Sequence, residues 1–213
     1  MNGRISGLYA ITPDLADTPK LIQQVRLALE GGTRWLQYRN KSADSSLRLQ
    51  QATALMRLCS EFAVPLIIND SLDVALAVNA DGVHLGAQDC PISDVKRILG
   101  ADKIVGASCY DNLQWALDAE AEGTDYVTFG SFFASTVKSD AVRAPLKLLR
   151  EAKARLSVPV VAVGGIDLHN AGLLIAAGAD AVAVISALFN AKDIRETAKS
   201  FAALFADYHH GAA

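Results

Sequence analysis

Two hydrophobic periods alternate along this chain. Short runs rich in β-branched residues recur between longer stretches whose apolar side chains return every three or four positions. Eight runs read as strands: Leu8–Thr12, Trp35–Arg39, Leu66–Asn69, Val83–Leu85, Ile104–Ser108, Tyr126–Gly130, Val160–Val163 and Ala181–Ser186. Their starts advance by about 25 residues, the length of one strand–helix unit.

The stretches between carry helix punctuation. Thr18-Pro19 offers a cap followed by proline in the first turn, Leu21, Val25, Ala28 and Leu29 repeat at helical spacing, and Gly31 closes the segment. Ala52, Leu55, Cys59 and Phe62 form a second apolar stripe, and Ile194, Ala198, Phe201 and Phe205 a last one. Asp111 is expected to cap a helix that ends at Gly123, and Asp167 one that ends at Gly178. An internal echo joins Asn79-Ala80-Asp81-Gly82-Val83, Gly123-Thr124-Asp125-Tyr126-Val127 and Gly178-Ala179-Asp180-Ala181-Val182. In each, a helix-ending residue is followed by aspartate and a strand. Asp81, Asp125 and Asp180 therefore read as structural residues at strand N-termini, away from the end where parallel barrels carry chemistry.

Eight such units in 213 residues predict a single-domain (β/α)8 TIM barrel over residues 1–213, with 209–213 a frayed tail. An open doubly wound sheet uses the same units and is the alternative. The chain is 51% hydrophobic, too apolar for disorder. Its 20 basic and 23 acidic residues give a net charge of −3, which excludes bulk attraction to nucleic acid or an anionic membrane. Cys59, Cys90 and Cys109 show no CxxC spacing, and so no disulfide framework or zinc site. The opening Met-Asn-Gly-Arg-Ile-Ser-Gly lacks the apolar core of a signal peptide, so the cytoplasm is the expected location. The most apolar stretch, Ala171 to Ala191, is broken by Gly178 and Asp180 and does not read as a membrane span. Monomer and homo-oligomer are both compatible with the sequence.

In such a barrel the reactive groups belong at the C-terminal ends of the strands. The second strand leads into Gln37-Tyr38-Arg39-Asn40-Lys41, where two cations and an amide suit a phosphorylated ligand, or a solvated loop. Asn69-Asp70 follows the third strand and Gly86-Ala87-Gln88-Asp89 the fourth. Either acid alone suits a helix cap; together, beside Arg39 and Lys41, Asp70 and Asp89 suit a hard cation such as Mg2+. Ser108 ends the fifth strand as a hydrogen-bonding candidate, without the GxSxG pattern of a hydrolase nucleophile. A long segment from Gly130 to Ala141 follows the sixth strand and brings Ser135, Val137 and Lys138, a composition that suits a lid over a charged ligand. Gly164-Gly165 follows the seventh strand and Ile185-Ser186 ends the eighth, where this fold recurrently binds phosphate through backbone N–H groups. Two anion subsites in one mouth suggest a two-substrate transferase with pyrophosphate as leaving group.

These segments resemble the thiamine phosphate synthase family from Leu8 to Phe205. The resemblance rests on the joint order of Leu8-Tyr9-Ala10-Ile11-Thr12-Pro13, Gln37-Tyr38-Arg39-Asn40-Lys41, Ile68-Asn69-Asp70, Gly82-Val83-His84-Leu85-Gly86 with Asp89, Gly106-Ala107-Ser108, Lys138-Ser139-Asp140-Ala141, Gly164-Gly165-Ile166 and Ile185-Ser186-Ala187. It implies coupling of an aminopyrimidine-methyl diphosphate to a thiazole phosphate, or its carboxylated form, with release of diphosphate. It assigns Arg39, Lys41, Asn69 and Lys138 to the pyrophosphate, and counts Ser135 and Val137 of the same loop as Lys138 among the substrate-binding residues. Gln37 and Ser108 go to the pyrimidine, and Gly165, Ile185 and Ser186 to the thiazole phosphate. Asp70 and Asp89 go to Mg2+, and the catalytic groups are Arg39, Lys41, Lys138 and Ser108. The family's lid usually reads Pro-Thr-x-Thr-Lys, where this chain has Ala134-Ser135-Thr136-Val137-Lys138. A thiazole tautomerase of related sequence, and a non-catalytic barrel that binds a phosphorylated metabolite, are the rival readings. His84 reads as an interior histidine, Cys90 and Cys109 as packing residues beside the mouth, and His209-His210 as tail residues.

Overall fold

The computed structural model describes residues 5–86, 90–134 and 143–210, with side chains to 206. Strands β1 (Gly7–Ile11), β2 (Trp35–Tyr38), β3 (Leu66–Asn69), β4 (Gly82–Leu85), β5 (Ile104–Ser108), β6 (Tyr126–Phe129), β7 (Val160–Val163) and β8 (Ala181–Val184) are parallel, and β8 pairs back to β1. The sheet is closed in sequence order, so the open doubly wound alternative is excluded. The helices are α1 (Thr18–Glu30), α2 (Ser45–Phe62), α3 (Leu72–Val78), α4 (Ile92–Leu99), α5 (Leu113–Ala121), α6 (Lys147–Arg155), α7 (Ala171–Ala176), α8 (Ser186–Phe189) and α9 (Ile194–His210). Helix α9 runs through His210, and residues 211–213 of the expected tail lie outside the described residues.

Strand alternation sorts the core into two parts. Outward residues such as Leu8, Leu36, Leu66 and Val127 pack against the helices, while Tyr9, Trp35, Ile67, Tyr126 and Val161 fill the barrel. The stripe read from the sequence on α1 is the face that buries: Leu21, Val25, Ala28 and Leu29 are all buried. Each fully buried Leu, Ile or Val contributes roughly 1.5–3 kcal/mol, against about 0–1 kcal/mol for an exposed ion pair such as Arg26–Glu61. The core decides the fold.

Three caps differ from the sequence reading. Asp17, not Thr18, caps α1, because its carboxylate reaches Lys20 N at 3.0 Å and Pro19 has no N–H to satisfy. Asn112, not Asp111, caps α5 by accepting from Gln114 N and Trp115 N. Asp167 holds a turn before α7, with its carboxylate accepting from His169 N and Asn170 N, so the helix itself starts only at Ala171.

The echoed aspartates share one role at the N-terminal end of the barrel. Asp81 accepts from Leu66 N at 2.8 Å, Asp125 from Val105 N at 2.6 Å and Asp180 from Val160 N at 2.7 Å. Each carboxylate, one residue ahead of an even strand, thus clips the start of the odd strand before it. Lys96 and Lys153 pair with Asp125 and Asp180 from the helices outside.

Candidate active site

Because all eight strands are parallel, their C-terminal ends share one mouth. Gln37, near the end of β2, points inward and is buried. Arg39 follows, locked by a reciprocal pair in which its N–H donates to Thr12 Oγ1 at 2.9 Å and its carbonyl accepts from that hydroxyl at 2.8 Å. The Arg39 guanidinium meets both Asp14 carboxylate oxygens, at 3.1 and 3.3 Å, and the Lys41 amide donates to Asp14 at 2.9 Å. Sequence reasoning missed Asp14. Its signal was an acid directly after Thr12-Pro13, at the same barrel end as Arg39, the cation it holds.

Tyr38 faces the other way, as alternation requires, and donates to Gln51 Oε1 at 2.9 Å. Asn40 joins that amide and the Leu15 carbonyl, which ties the β2 loop to α2. Burial pushes the Tyr38 hydroxyl up to about 12, so it stays protonated as a donor.

Lys41, Asn69 and Asp70 meet around a cavity of about 250 Å3 that Arg48 and Ser71 also line. Arg48 is a further cation the sequence did not single out; it donates to the Ala43 carbonyl from the second turn of α2. Asp70 adopts φ +59° and its amide donates to the His84 carbonyl at 2.9 Å, which holds the loop after β3 against β4. Ser108 ends β5 half-buried and borders a second cavity, about 210 Å3, with Cys90, Trp115 and Glu122. Gly106, one turn of the pleat below, lacks a side chain because the Tyr126 ring occupies that space.

Across the mouth, Gly164 and Gly165 take φ +97° and +67°, the left-handed region that favours glycine. A Cβ on Gly165 would meet the Phe133 and Ala134 backbone, and one on Gly164 would meet Ser131. Phe132 N and Phe133 N donate to the Val163 and Gly164 carbonyls, so the start of the β6 loop lies directly on this turn. Ile185 and Ser186 form the junction of β8 and α8. Asp89, Ser135, Val137 and Lys138 lie outside the described residues. His84 is an interior histidine, with hydrogen bonds to Tyr126 and Thr128. Burial pushes the Cys109 thiol up to about 12, as it does Cys59, whereas Cys90 is exposed.

A closed (β/α)8 barrel with cations on one side of its mouth and a glycine turn on the other defines a phosphate-handling barrel enzyme. The thiamine monophosphate synthase family matches residues 8–188. A thiamine-phosphate synthase of Nitrosomonas eutropha is 50% identical over 202 residues, covering 95% of each chain. One of Nitrosospira multiformis is 53% identical over 201 residues, covering 94% of this chain and 86% of the other. The structure of a thiamine phosphate pyrophosphorylase from Pyrococcus furiosus superimposes with a TM-score of 0.85 at 38% identity, covering 94% of this chain and 96% of that one. The chain belongs to the thiamine monophosphate synthase family, and its activity is thiamine-phosphate synthesis, a group transfer.

Proposed function

We propose that this transferase works by a dissociative route on two small-molecule substrates, an aminopyrimidine-methyl diphosphate and a thiazole phosphate. The C–O bond to diphosphate breaks first, the leaving group takes the electron pair, and a pyrimidine-methyl cation remains. The thiazole nitrogen donates its lone pair to that carbon, giving thiamine phosphate. Such a reaction asks for neutralisation of the leaving group and exclusion of water more than for a general base. The observation that carries the reading is the meeting of Lys41, Asn69 and Asp70 at one cavity beside the Asp14-anchored Arg39. Lys138 of the β6 loop is assigned to the same diphosphate, and Ser135 and Val137 of that loop are counted among the substrate-binding residues. Gln37 and Ser108 take the pyrimidine, and Gly165, Ile185 and Ser186 take the thiazole phosphate.

Mg2+ is proposed as the cofactor, held by Asp70 and Asp89. Hard cations take carboxylate oxygens, one or two per Mg2+, and Asp70 lines the same cavity as Lys41 and Asn69. When bound, the ion neutralises charge on the leaving diphosphate. Among the described residues no helix is long and apolar enough to cross a membrane. With the free thiols, this supports work in the cytoplasm. Incubation with both substrates and Mg2+, assayed for thiamine phosphate, tests the proposal. Binding of the thiazole phosphate without turnover would favour a metabolite-binding barrel instead.

A further inference from the structure

Below the mouth, the barrel holds a chain of buried polar groups to which the coupling reaction assigns no role beyond Gln37. Gln37 Nε2 donates to Tyr9 Oη at 3.1 Å, and the Tyr9 and Tyr126 hydroxyls meet at 2.8 Å. Tyr126 Oη lies 3.1 Å from His84 Nδ1, and His84 Nε2 lies 3.5 Å from Thr128 Oγ1. The His84 ring stacks on Tyr126 with centroids 5.5 Å apart. Both tyrosines are fully buried, and that burial raises the pKa of each hydroxyl well above its ordinary value, so both keep their protons.

The proton order follows from the Gln37 end. A phenol has one proton to give. Tyr9 accepts from the amide, so its proton goes to Tyr126, and Tyr126 gives its own to His84 Nδ1. His84 then carries its proton on Nε2, facing Thr128. Reversing the order would aim the Tyr9 proton at Gln37 and require the amide to turn over. The direction of the chain and the orientation of the amide are thus coupled, and the donation from Gln37 Nε2 to Tyr9 sets both. In the orientation present, Gln37 Oε1 accepts from none of the described residues. It is also not sealed in, since Thr33 Oγ1 alone among described side-chain atoms is enclosed without a partner. Tyr9, Trp35 and Tyr126 close the interior beneath it, which leaves the mouth as the open side.

We propose that Tyr9, Tyr126 and His84 are positioning residues that hold the Gln37 carbonyl toward the mouth and so select an amino-pyrimidine over an oxo-pyrimidine. An exocyclic amino group donates to that carbonyl. An oxo group would oppose it, oxygen to oxygen, in a site with little water to relieve the mismatch. The inference rests on the pyrimidine subsite proposed above.

The test is equilibrium binding of the 4-amino and 4-oxo pyrimidinylmethyl diphosphates, with Mg2+ present, to the wild type, Gln37→Ala, Tyr9→Phe and Tyr126→Phe. The wild type should prefer the amino compound by about a hundredfold or more, and Gln37→Ala should lose most of that preference. Tyr9→Phe should lose about tenfold, because the amide has no anchor, and Tyr126→Phe several-fold. A merely structural role would weaken both ligands alike and leave their ratio unchanged. An unchanged ratio in Tyr9→Phe, or a Gln37→Ala that keeps the preference, overturns the inference; if Tyr9→Phe does not fold, Tyr126→Phe is held to the same criterion. Thiamine phosphate formation is assayed in parallel. Missing product with the binding preference intact counts against the coupling reaction alone, and a ratio insensitive to these residues with product formed counts against the inference alone.

Discussion

Gly165 combines a left-handed backbone with the close approach of Phe133, whose carbonyl carbon would lie 2.6 Å from an added Cβ. Alanine there is strained on both counts, at about 1–3 kcal/mol. Gly165→Ala should lower the melting temperature and raise the KM for the thiazole phosphate, which thermal melts and steady-state kinetics will show. The collision also displaces the start of the β6 loop, a consequence the sequence alone did not suggest. Asp70 and Asp89 make a sharper case. Replacing either with alanine should lower turnover by roughly two to four decades, the size of a lost electrostatic contact in a dry site. Chelator should abolish wild-type activity, and Mg2+ should restore it. Full turnover in excess chelator would remove both residues from the metal site.

At the scale of elements, the aspartate clips and the β6 loop make opposite demands. Asp180 accepts from the buried Val160 N and pairs with Lys153, far from the mouth. Asp180→Ala leaves a buried donor unsatisfied, at about 1–3 kcal/mol. For a chain of this size each kcal/mol lowers the melting temperature by about 2–4 °C. Calorimetry should record that loss while kcat stays near wild type. The β6 loop should behave in reverse. Lys138 stands eight residues beyond Gly130, and on the proposed reading it reaches the diphosphate when the loop closes over the mouth. Lys138→Ala should cut kcat more than it weakens pyrimidine binding and should raise the share of hydroxymethyl-pyrimidine, the water-captured product. Val137→Thr, which restores the family's usual hydroxyl, should be neutral or mildly beneficial, since one neutral hydrogen bond contributes about 0.5–1.5 kcal/mol. An unchanged product ratio in Lys138→Ala would show that the loop is not a lid.

For the whole molecule, burial of weak acids sets the response to alkali. Cys59, Cys109 and Tyr38 are each pushed up to about 12 from ordinary values of 9.0, 9.0 and 10.0, and Tyr9 and Tyr126 are raised as well. Because the folded values are raised, these groups cost no stability below the unfolded pKa. Stability is then lost as pH climbs from about 9 toward 12, where only the unfolded chain ionises freely. Circular dichroism should show a falling denaturation midpoint across that window, and Cys59→Ala with Cys109→Ala should flatten the early part of the slope. The same molecule shows what each level of description decides. The barrel was legible because its signals are local: a strand period, a helix period and a repeat of about 25 residues fix eight units whatever their partners are. The mouth residues were legible for the same reason, since parallel strands bring every strand end to one side, and Lys41, Asn69 and Asp70 do meet there. Two of the caps slipped by one residue, as at Asp17, where neighbouring polar residues compete for the same N–H groups. Partnership across the barrel was not legible at all. Asp14 finds Arg39 25 residues on, and Tyr9 finds Tyr126 117 residues on. No local pattern carries such pairings, because they exist only once closure of the sheet brings the interior side chains within hydrogen-bonding distance. The sequence by itself determined the repeated unit and which polar residues end its strands. Only the tertiary structure decided which buried groups hold one another, and so which way Gln37 faces.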